Sequence, residues 1–521
     1  MKINPLNLID FYKADHRRQY PKDTTLVFSN FTPRKSRIPG VDHVVFFGLQ
    51  YFIKEYLIKQ WNENFFQKPL DDVVKSFNRR KDSSLGPNSI GSDHIVALHE
   101  LGYLPLQIMA LPEGSKVPIR VPPLIMWNTR PEFFWLVNYL ETCMSASLWQ
   151  GSTSATLAAE YRKLLNSWAL KTGSPKQINE FVQWQGHDFS FRGMSSIESA
   201  AISGAGHLLS FTGTDTVPAI DFLEEYYNAD ADSELIGGSV PATEHSVMCM
   251  GMQGGEFETF KRLITEIYPS GIVSIVSDTW DLWTVLTDYL PRLKDVILAR
   301  EGKVVIRPDS GDPVDIICGL PPDSASLLGN GKWLHTYKGG VKEGSPQQKG
   351  VIELLWDIFG GKINENGYKE LDSHIGAIYG DSINLDRANS ICQRLEAKGF
   401  ASTNIVLGIG SYTYQYNTRD TQGWAMKATY GELLPTPYHN VPVEREIFKD
   451  PITDDGTKKS AKGLIAVYKV YDDPESDNYS YHMTDQATWD MVKNCALKPV
   501  FIDGKLMIDD SLANIRARVA M

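Results

Sequence analysis

The sequence predicts an α/β protein, a parallel sheet or barrel whose polar strand ends face one side. Three observations predict it. The β-branched run Val304-Val305-Ile306 ends abruptly in Arg307-Pro308-Asp309-Ser310-Gly311, which reads as a buried strand broken by proline and glycine. The pattern recurs: residues 271–276 run into Ser277-Asp278, residues 374–379 into Gly380-Asp381-Ser382, and residues 404–407 into Gly408-Ile409-Gly410-Ser411. Helix-like segments separate most of these runs, and such βα alternation gives a parallel sheet. Ligands of α/β folds bind beyond the strand C-termini. A surface turn with an ion pair would explain one such loop. Four loops that converge at one mouth point instead to a phosphate and metal site.

The chain of 521 residues has ample core for two or more domains. Charged residues make up 22% and hydrophobic ones 42%, as in a globular protein. A net charge of -11 argues against nucleic acid as the main partner. Five scattered cysteines with no Cys-x-x-Cys predict neither zinc nor a disulfide framework. Pro5 and Asp10 stand where a signal peptide needs an apolar core, and no run approaches the roughly 20 apolar residues of a membrane span. The expected location is cytoplasmic, with no membrane partner.

Residues 24–31 alternate as a strand and are followed by the basic Arg34, Lys35 and Arg37. Residues 44–61 have helical spacing. The polar residues 77–93 are expected to form a loop. Short strands punctuated by proline fill 104–121, and helices are expected over 131–148 and 154–170. A further helix should open at Ser195-Ser196-Ile197-Glu198, where Ser195 and Glu198 have capping-box spacing. Gly213-Thr214-Asp215-Thr216 follows a short apolar run. A Gly/Pro-rich approach, residues 237–246, leads to a helix starting near Val247. Residues 319–349 read as an insertion or flap. Short alternating strands and the basic run 458–463 suggest that the chain beyond residue 421 returns to a small β-rich domain. The expected domains are 1–150 with 425–521, mixed and β-rich, and 151–424, the α/β unit.

The motifs of dinucleotide oxidoreductases, P-loop kinases, zincins and α/β-hydrolases are missing. Arg307 offers a planar fork for a phosphate or ring substituent, and Asp309 a hard oxygen for magnesium. His245 sits on a tight loop beside Ser239 and Ser246. A neutral imidazole there can act as base, hydrogen-bond partner or phosphoryl acceptor, oriented by Asp278 or Glu244. Phe189, Arg192 and Asp215 can form a slot for a flat heteroaromatic amide, because a carboxylate repels an acid and accepts an amide N–H. Otherwise Phe189 is core and Asp215 a helix cap.

Taken together, Asp10-Phe11-Tyr12-Lys13, Phe47-Gly48-Leu49-Gln50-Tyr51, His187-Asp188-Phe189 through Arg192-Gly193, Gly213-Thr214-Asp215-Thr216, Ser239-Val240-Pro241-Ala242 with Glu244-His245-Ser246, Ser277-Asp278, residues 306–311, Gly380-Asp381 and Thr418-Arg419-Asp420 resemble, in order, the nicotinamide phosphoribosyltransferases of the type II phosphoribosyltransferase family. The resemblance implies an irregular α/β barrel and a smaller β-rich domain built from both chain ends. It implies a homodimer with active sites at the interface. The implied reaction joins nicotinamide to 5-phosphoribosyl-1-diphosphate, with magnesium, and with optional ATP hydrolysis through a phosphohistidine.

It further implies a set of roles. His245 would be phosphorylated, with Asp278 in support. Phe189 and the other subunit's Tyr12 would sandwich the ring, Asp215 would read the amide, and Arg307 would contact base and ribose. Ser239, Val240, Ala242 and Ser274 belong to the same substrate-binding set. Asp309 would sit near the ring nitrogen and the magnesium-bound diphosphate, and Gly380 and Asp381 would hold the ribose hydroxyls. Arg192, Gly410, Ser411 and Arg419 would line the 5′-phosphate region. Lys427 would also serve there or at the diphosphate, which Arg34 and Lys449 would meet from the other subunit. Three departures stand out: Gly410-Ser411-Tyr412 where the family has a run of glycines, the 319–349 insertion, and a shorter segment between Arg34 and Val44. The rival readings are nicotinate as substrate on the same fold and a non-catalytic role for the dimer surface.

Overall fold

A computed structural model describes residues 4–87, 89–320, 344–435, 441–453, 460–473 and 478–520. Most of the 319–349 insertion, and Lys458 and Lys459 of the basic run, lie outside the described residues. The chain divides into two compact units. One comprises residues 1–156, 222–230 and 417–521, the other 157–221 and 231–416. The first therefore also takes in 222–230, a stretch that the sequence reading left in the α/β unit.

The second unit is the α/β one. Its strands are β1 (Gly186–Asp188), β2 (Gly213–Thr214), β3 (Ser270–Val276), β4 (Glu301–Arg307), β5 (Ile375–Tyr379) and β6 (Ile405–Ile409). They form one sheet in the order β2-β1-β6-β5-β4-β3, with every neighbouring pair parallel. Parallel strands are covered on both faces, which is why they read as unbroken apolar runs. Val304, Ile306, Ile375, Ile405 and Leu407 are all buried. The two edges are joined by an irregular segment. Gly238 bridges Gly213 of β2, and Ala242 bridges Ser274 of β3. Four backbone hydrogen bonds fix this closure, from Thr214 N to Gly238 O, Gly238 N to Thr212 O, Ser274 N to Pro241 O and Thr243 N to Ser274 O, at 2.8–2.9 Å. The barrel is irregular because one stave is this Gly-Gly-Ser-Val-Pro stretch rather than a strand.

The first unit carries a seven-stranded antiparallel sheet in the order Val443–Glu446, Trp424–Leu433, Thr24–Pro33, Leu124–Asn128, Leu106–Ala110, Lys498–Ile502, Lys505–Leu506. The N-terminal strand Thr24–Pro33 thus pairs with the C-terminal strand Trp424–Leu433, with Asn30 opposite Lys427 and Phe31 opposite Met426. Phe31 stacks on Trp424 with ring centroids 4.8 Å apart. The sheet is built from both chain ends, as expected.

Several local expectations are corrected. Most of the loop expected at 77–93 is helical, because the helix Leu70–Leu85 buries Val73, Phe77 and Lys81 at four-residue spacing. It stops at Gly86, whose φ of +98° only glycine adopts readily. The two helices expected at 131–148 and 154–170 are largely one, Glu141–Thr172. Ser152 and Thr153 fall in the gap left between the two, and Thr156 just after it. Their buried hydroxyls bond Phe47 O, Trp149 O and Ser152 O. Val44 and Val45 lie in a strand, and helix begins at Leu49. The helix expected at Ser195 is capped by Ser196, which accepts from Ser199 N, so the cap is one residue later. The helix expected near Val247 is His245–Met250.

Candidate active site

The strand ends of the barrel unit bring the predicted groups together. Arg307 is the last residue of β4. The loop after it is held by Asp278, at the end of β3. Oδ2 of Asp278 accepts from Asp309 N at 2.9 Å, from Ser310 N at 2.8 Å and from the Ser310 hydroxyl. Its other oxygen faces Nε2 of His245 at 3.4 Å. One buried carboxylate therefore ties the loop after β4 to the histidine that opens the helix His245–Met250. Asp278 is 6% exposed and His245 50%, so the ring is open to a reactant while its partner is not.

Asp309 lies beside Arg307, with Nη2 to Oδ2 at 3.3 Å. Burial raises its carboxyl above the ordinary range and the charge of Asp278 adds to this, while Arg307 opposes both. Nε of Arg307 and Oδ1 of Asp309 are buried without a hydrogen-bond partner among the described residues. Buried polar atoms are normally satisfied, so a donor and an acceptor here are left for a ligand. Gly380, at the end of β5, abuts Asp309 so closely that a Cβ would overlap Oδ1. Asp381 beside it is exposed and accepts from Ser382 N.

Inside the barrel a cavity of about 330 Å³ runs from these groups along β4. His187, Phe189, Asp215, Ser239, Val240, Ala242, Ser274 and Arg307 line it. Nε2 of His187 donates to Oδ1 of Asp215 at 2.9 Å, and the Ser239 hydroxyl donates to the same oxygen at 2.5 Å. Burial would raise the Asp215 carboxyl. The His187 and Ser239 bonds and the charge of Arg307 outweigh it and hold it below the usual carboxylate range. The carboxylate is thus kept anionic with its second oxygen available. Phe189 packs on His187 at 4.6 Å, and the Arg307 guanidinium stands 5.9 Å from the Phe189 ring. Gly408 leaves room for Phe189, because a Cβ there would come within 2.7 Å of Cδ2. A flat ring on Phe189 with a hydrogen-bonding arm toward Asp215 fits this arrangement.

The expected 5′-phosphate residues are grouped only in part. Gly193 abuts Ser411, so Arg192 and the start of the helix Ser411–Tyr414 are neighbours. Arg192 is exposed, and Gly410 faces open space. Tyr12, Arg34, Arg419, Lys427 and Lys449 all belong to the first unit. There Arg34 and Lys427 line a cavity of about 630 Å³ with Asn30, Thr32 and Arg120. Burial depresses the Lys427 pKa, and the nearby Arg34, Lys449 and Lys13 depress it further against Glu141. Such a cluster of cations suits a polyanion. Tyr12 is 59% exposed, and Arg419 pairs with Asp420 at 3.2 Å.

Sequence reasoning missed the role of His187 as the Asp215 donor and the presence of Lys303, Phe181 and Trp184 in the cavity. Alternation along β4 was the available signal for Lys303, since 303, 305 and 307 share one face.

Residues 184–495 match the model of the nicotinate phosphoribosyltransferase (NAPRTase) family, and residues 4–108 that of the nicotinamide phosphoribosyltransferase N-terminal domain. The chain is 53% identical over its full length to a nicotinamide phosphoribosyltransferase of Acinetobacter baylyi, of which it covers 97%. It is 34% identical over 88% of its length to the nicotinamide phosphoribosyltransferase of Mycoplasma pneumoniae, covering 96% of that protein. Among solved structures, a nicotinate-nucleotide pyrophosphorylase from Pyrococcus furiosus shares the fold, with a TM-score of 0.53, 14% identity, and coverage of 100% of this chain and 95% of that one. The chain belongs to the nicotinate phosphoribosyltransferase family, and carries the N-terminal domain of its nicotinamide phosphoribosyltransferase members.

Proposed function

We propose that this chain is a nicotinamide phosphoribosyltransferase of NAD salvage. It joins nicotinamide to 5-phosphoribosyl-1-diphosphate and releases nicotinamide mononucleotide and diphosphate. The observation that carries the reading is Asp215, held anionic by His187 and Ser239 at the end of a cavity floored by Phe189. Its available oxygen accepts the amide N–H. A nicotinate carboxylate at the same place would meet a like charge, and this disfavours the rival substrate.

The C–O bond at the anomeric carbon breaks as positive charge grows on the ribose. The pyridine nitrogen is a neutral nucleophile, so it needs orientation rather than deprotonation. Stacking on Phe189 and the contact with Asp215 supply that, and Tyr12 of a partner subunit covers the other ring face. Ser239, Val240, Ala242 and Ser274 wall the pocket, and Arg307 spans base and ribose. Asp309, partly shielded by Arg307, stabilises the developing cation. Gly380 and Asp381 take the ribose hydroxyls, and Arg192, Gly410 and Ser411 the 5′-phosphate. Diphosphate leaves toward Arg34 and Lys449 of a partner subunit, in the cationic cluster that also holds Lys427. Oδ1 of Asp309 offers one hard oxygen, which suits a magnesium ion delivered on the diphosphate.

With Nε2 of His245 held toward Asp278, the lone pair falls on Nδ1, so this nitrogen would attack the γ-phosphorus of ATP, the bond to the β,γ-bridging oxygen breaking and ADP leaving. The enzyme acts as a homodimer in the cytoplasm. The five free cysteines suit a reducing compartment. A monomeric mass by sedimentation would remove the dimer. The test of the reaction is mononucleotide formation by the purified chain from 5-phosphoribosyl-1-diphosphate and nicotinamide, with magnesium and ATP each present or withheld. Absence of product under every condition overturns the reading.

A further inference from the structure

The barrel cavity has a second end that none of these roles uses. Lys303, Val305 and Arg307 alternate on one face of β4 and all line it. Lys303 and Arg307 are four steps apart along the strand, roughly 13 Å. That is longer than a single-ring amide, so a base at Arg307 leaves Lys303 untouched. Nζ of Lys303 stands 5.9 Å from the Phe181 ring. No carboxylate lies within ion-pair distance of it among the described residues, and Asp372 supplies only a longer-range stabilising charge. Burial lowers its pKa, the mark of a desolvated ammonium. Gly376 on β5 makes space for the side chain, since a Cβ there would lie 3.2 Å from Lys303 Cδ. Phe181 is its flat neighbour, and Trp184 and Ile375 add apolar surface to the same cavity.

We infer that the inner end of this cavity is an anion subsite built on Lys303, which takes a small aromatic carboxylate. The two ends then sort ligands by charge. Asp215 repels acids and holds amides, whereas Lys303 pairs with a carboxylate whose ring lies against Phe181. An inorganic anion would match the lysine but leave the apolar walls unused. The inference does not depend on which base is transferred at Arg307.

The test is titration calorimetry of the full chain at neutral pH with benzoate and with benzamide, alongside nicotinamide transfer kinetics. Benzoate should bind, and Lys303→Met should weaken it at least tenfold while changing benzamide binding and the nicotinamide KM less than twofold. Lys303→Arg should retain benzoate, and benzoate should inhibit without competing against nicotinamide. Lys303→Gln gives the same readout should the methionine variant fail to fold. Three results would each overturn the subsite: no benzoate binding to the unaltered chain, equal affinity in the charge-removed variant, or a parallel loss of benzoate and benzamide. Strict competition with nicotinamide would assign benzoate to Arg307 and overturn it as well.

Discussion

Nε2 of His187 donates to Oδ1 of Asp215 at 2.9 Å, and Ser239 shares that oxygen. The pair fixes the charge and the direction of the carboxylate at the base end of the cavity. A hydrogen bond to a charged group contributes about 1.5–3 kcal/mol. Asp215→Ser should therefore lower kcat/KM for nicotinamide by roughly 10- to 100-fold and raise relative use of nicotinate. Unchanged selectivity in steady-state assays would remove this account of amide recognition.

Gly380 and Asp309 test the mouth of the barrel. A methyl group at position 380 cannot coexist with Oδ1 of Asp309 where it now stands. Gly380→Ala should displace that carboxylate and cut kcat by about tenfold or more, since oriented charges act only at their set positions. Position 380 is not among the positive-φ glycines, so the melting temperature should move little. Full kcat with an unchanged melting curve would contradict the assignment of Asp309.

His245 reaches the rest of the site through Asp278. His245→Ala should abolish any stimulation by ATP and leave basal transfer measurable. The readout is product formation with and without ATP, together with acid-labile phosphoprotein. A variant that still responds fully to ATP would exclude the phosphohistidine.

The first unit contains a carboxyl whose ionisation is linked to stability. Glu113 accepts from Gly48 N at 2.7 Å, Gln50 N at 2.5 Å and the Tyr227 hydroxyl at 3.0 Å. Burial nonetheless pushes its pKa up to about 7 from 4.5. Protonation thus favours the folded state. The stabilisation is complete below about pH 4.5 and is lost as pH rises through about 7. The melting-temperature difference between the unaltered chain and Glu113→Gln should be larger at pH 5 than at pH 7.5. A difference that is flat or grows with pH would show Glu113 to be ionised in the fold.

The barrel strands were legible because both of their faces are apolar, as in Val304-Val305-Ile306, where Val304 and Ile306 are buried and Val305 lines the cavity. Their polar ends were legible for the complementary reason: Asp278, Asp309 and Asp381 follow strands directly. The stave at 237–243 was not, since a Gly-Gly-Ser-Val-Pro stretch has no strand period and pairs only by isolated bridges. The continuity of helix through 149–153 was not legible, since Ser and Thr hydroxyls compete for backbone groups, whereas inside the fold those of Ser152 and Thr153 bond to the Phe47 and Trp149 carbonyls. Lys303 stands just before the apolar run 304–306 and carries no signal of its own. Only closure of the barrel turns its face inward.

The most direct test of the central claim is a competition. The purified chain is given 5-phosphoribosyl-1-diphosphate, magnesium, and nicotinamide and nicotinate in equal amounts, and the two mononucleotides are separated by chromatography. The account predicts nicotinamide mononucleotide in at least tenfold excess. Nicotinate mononucleotide as the main product would keep the fold and contradict the role given to Asp215.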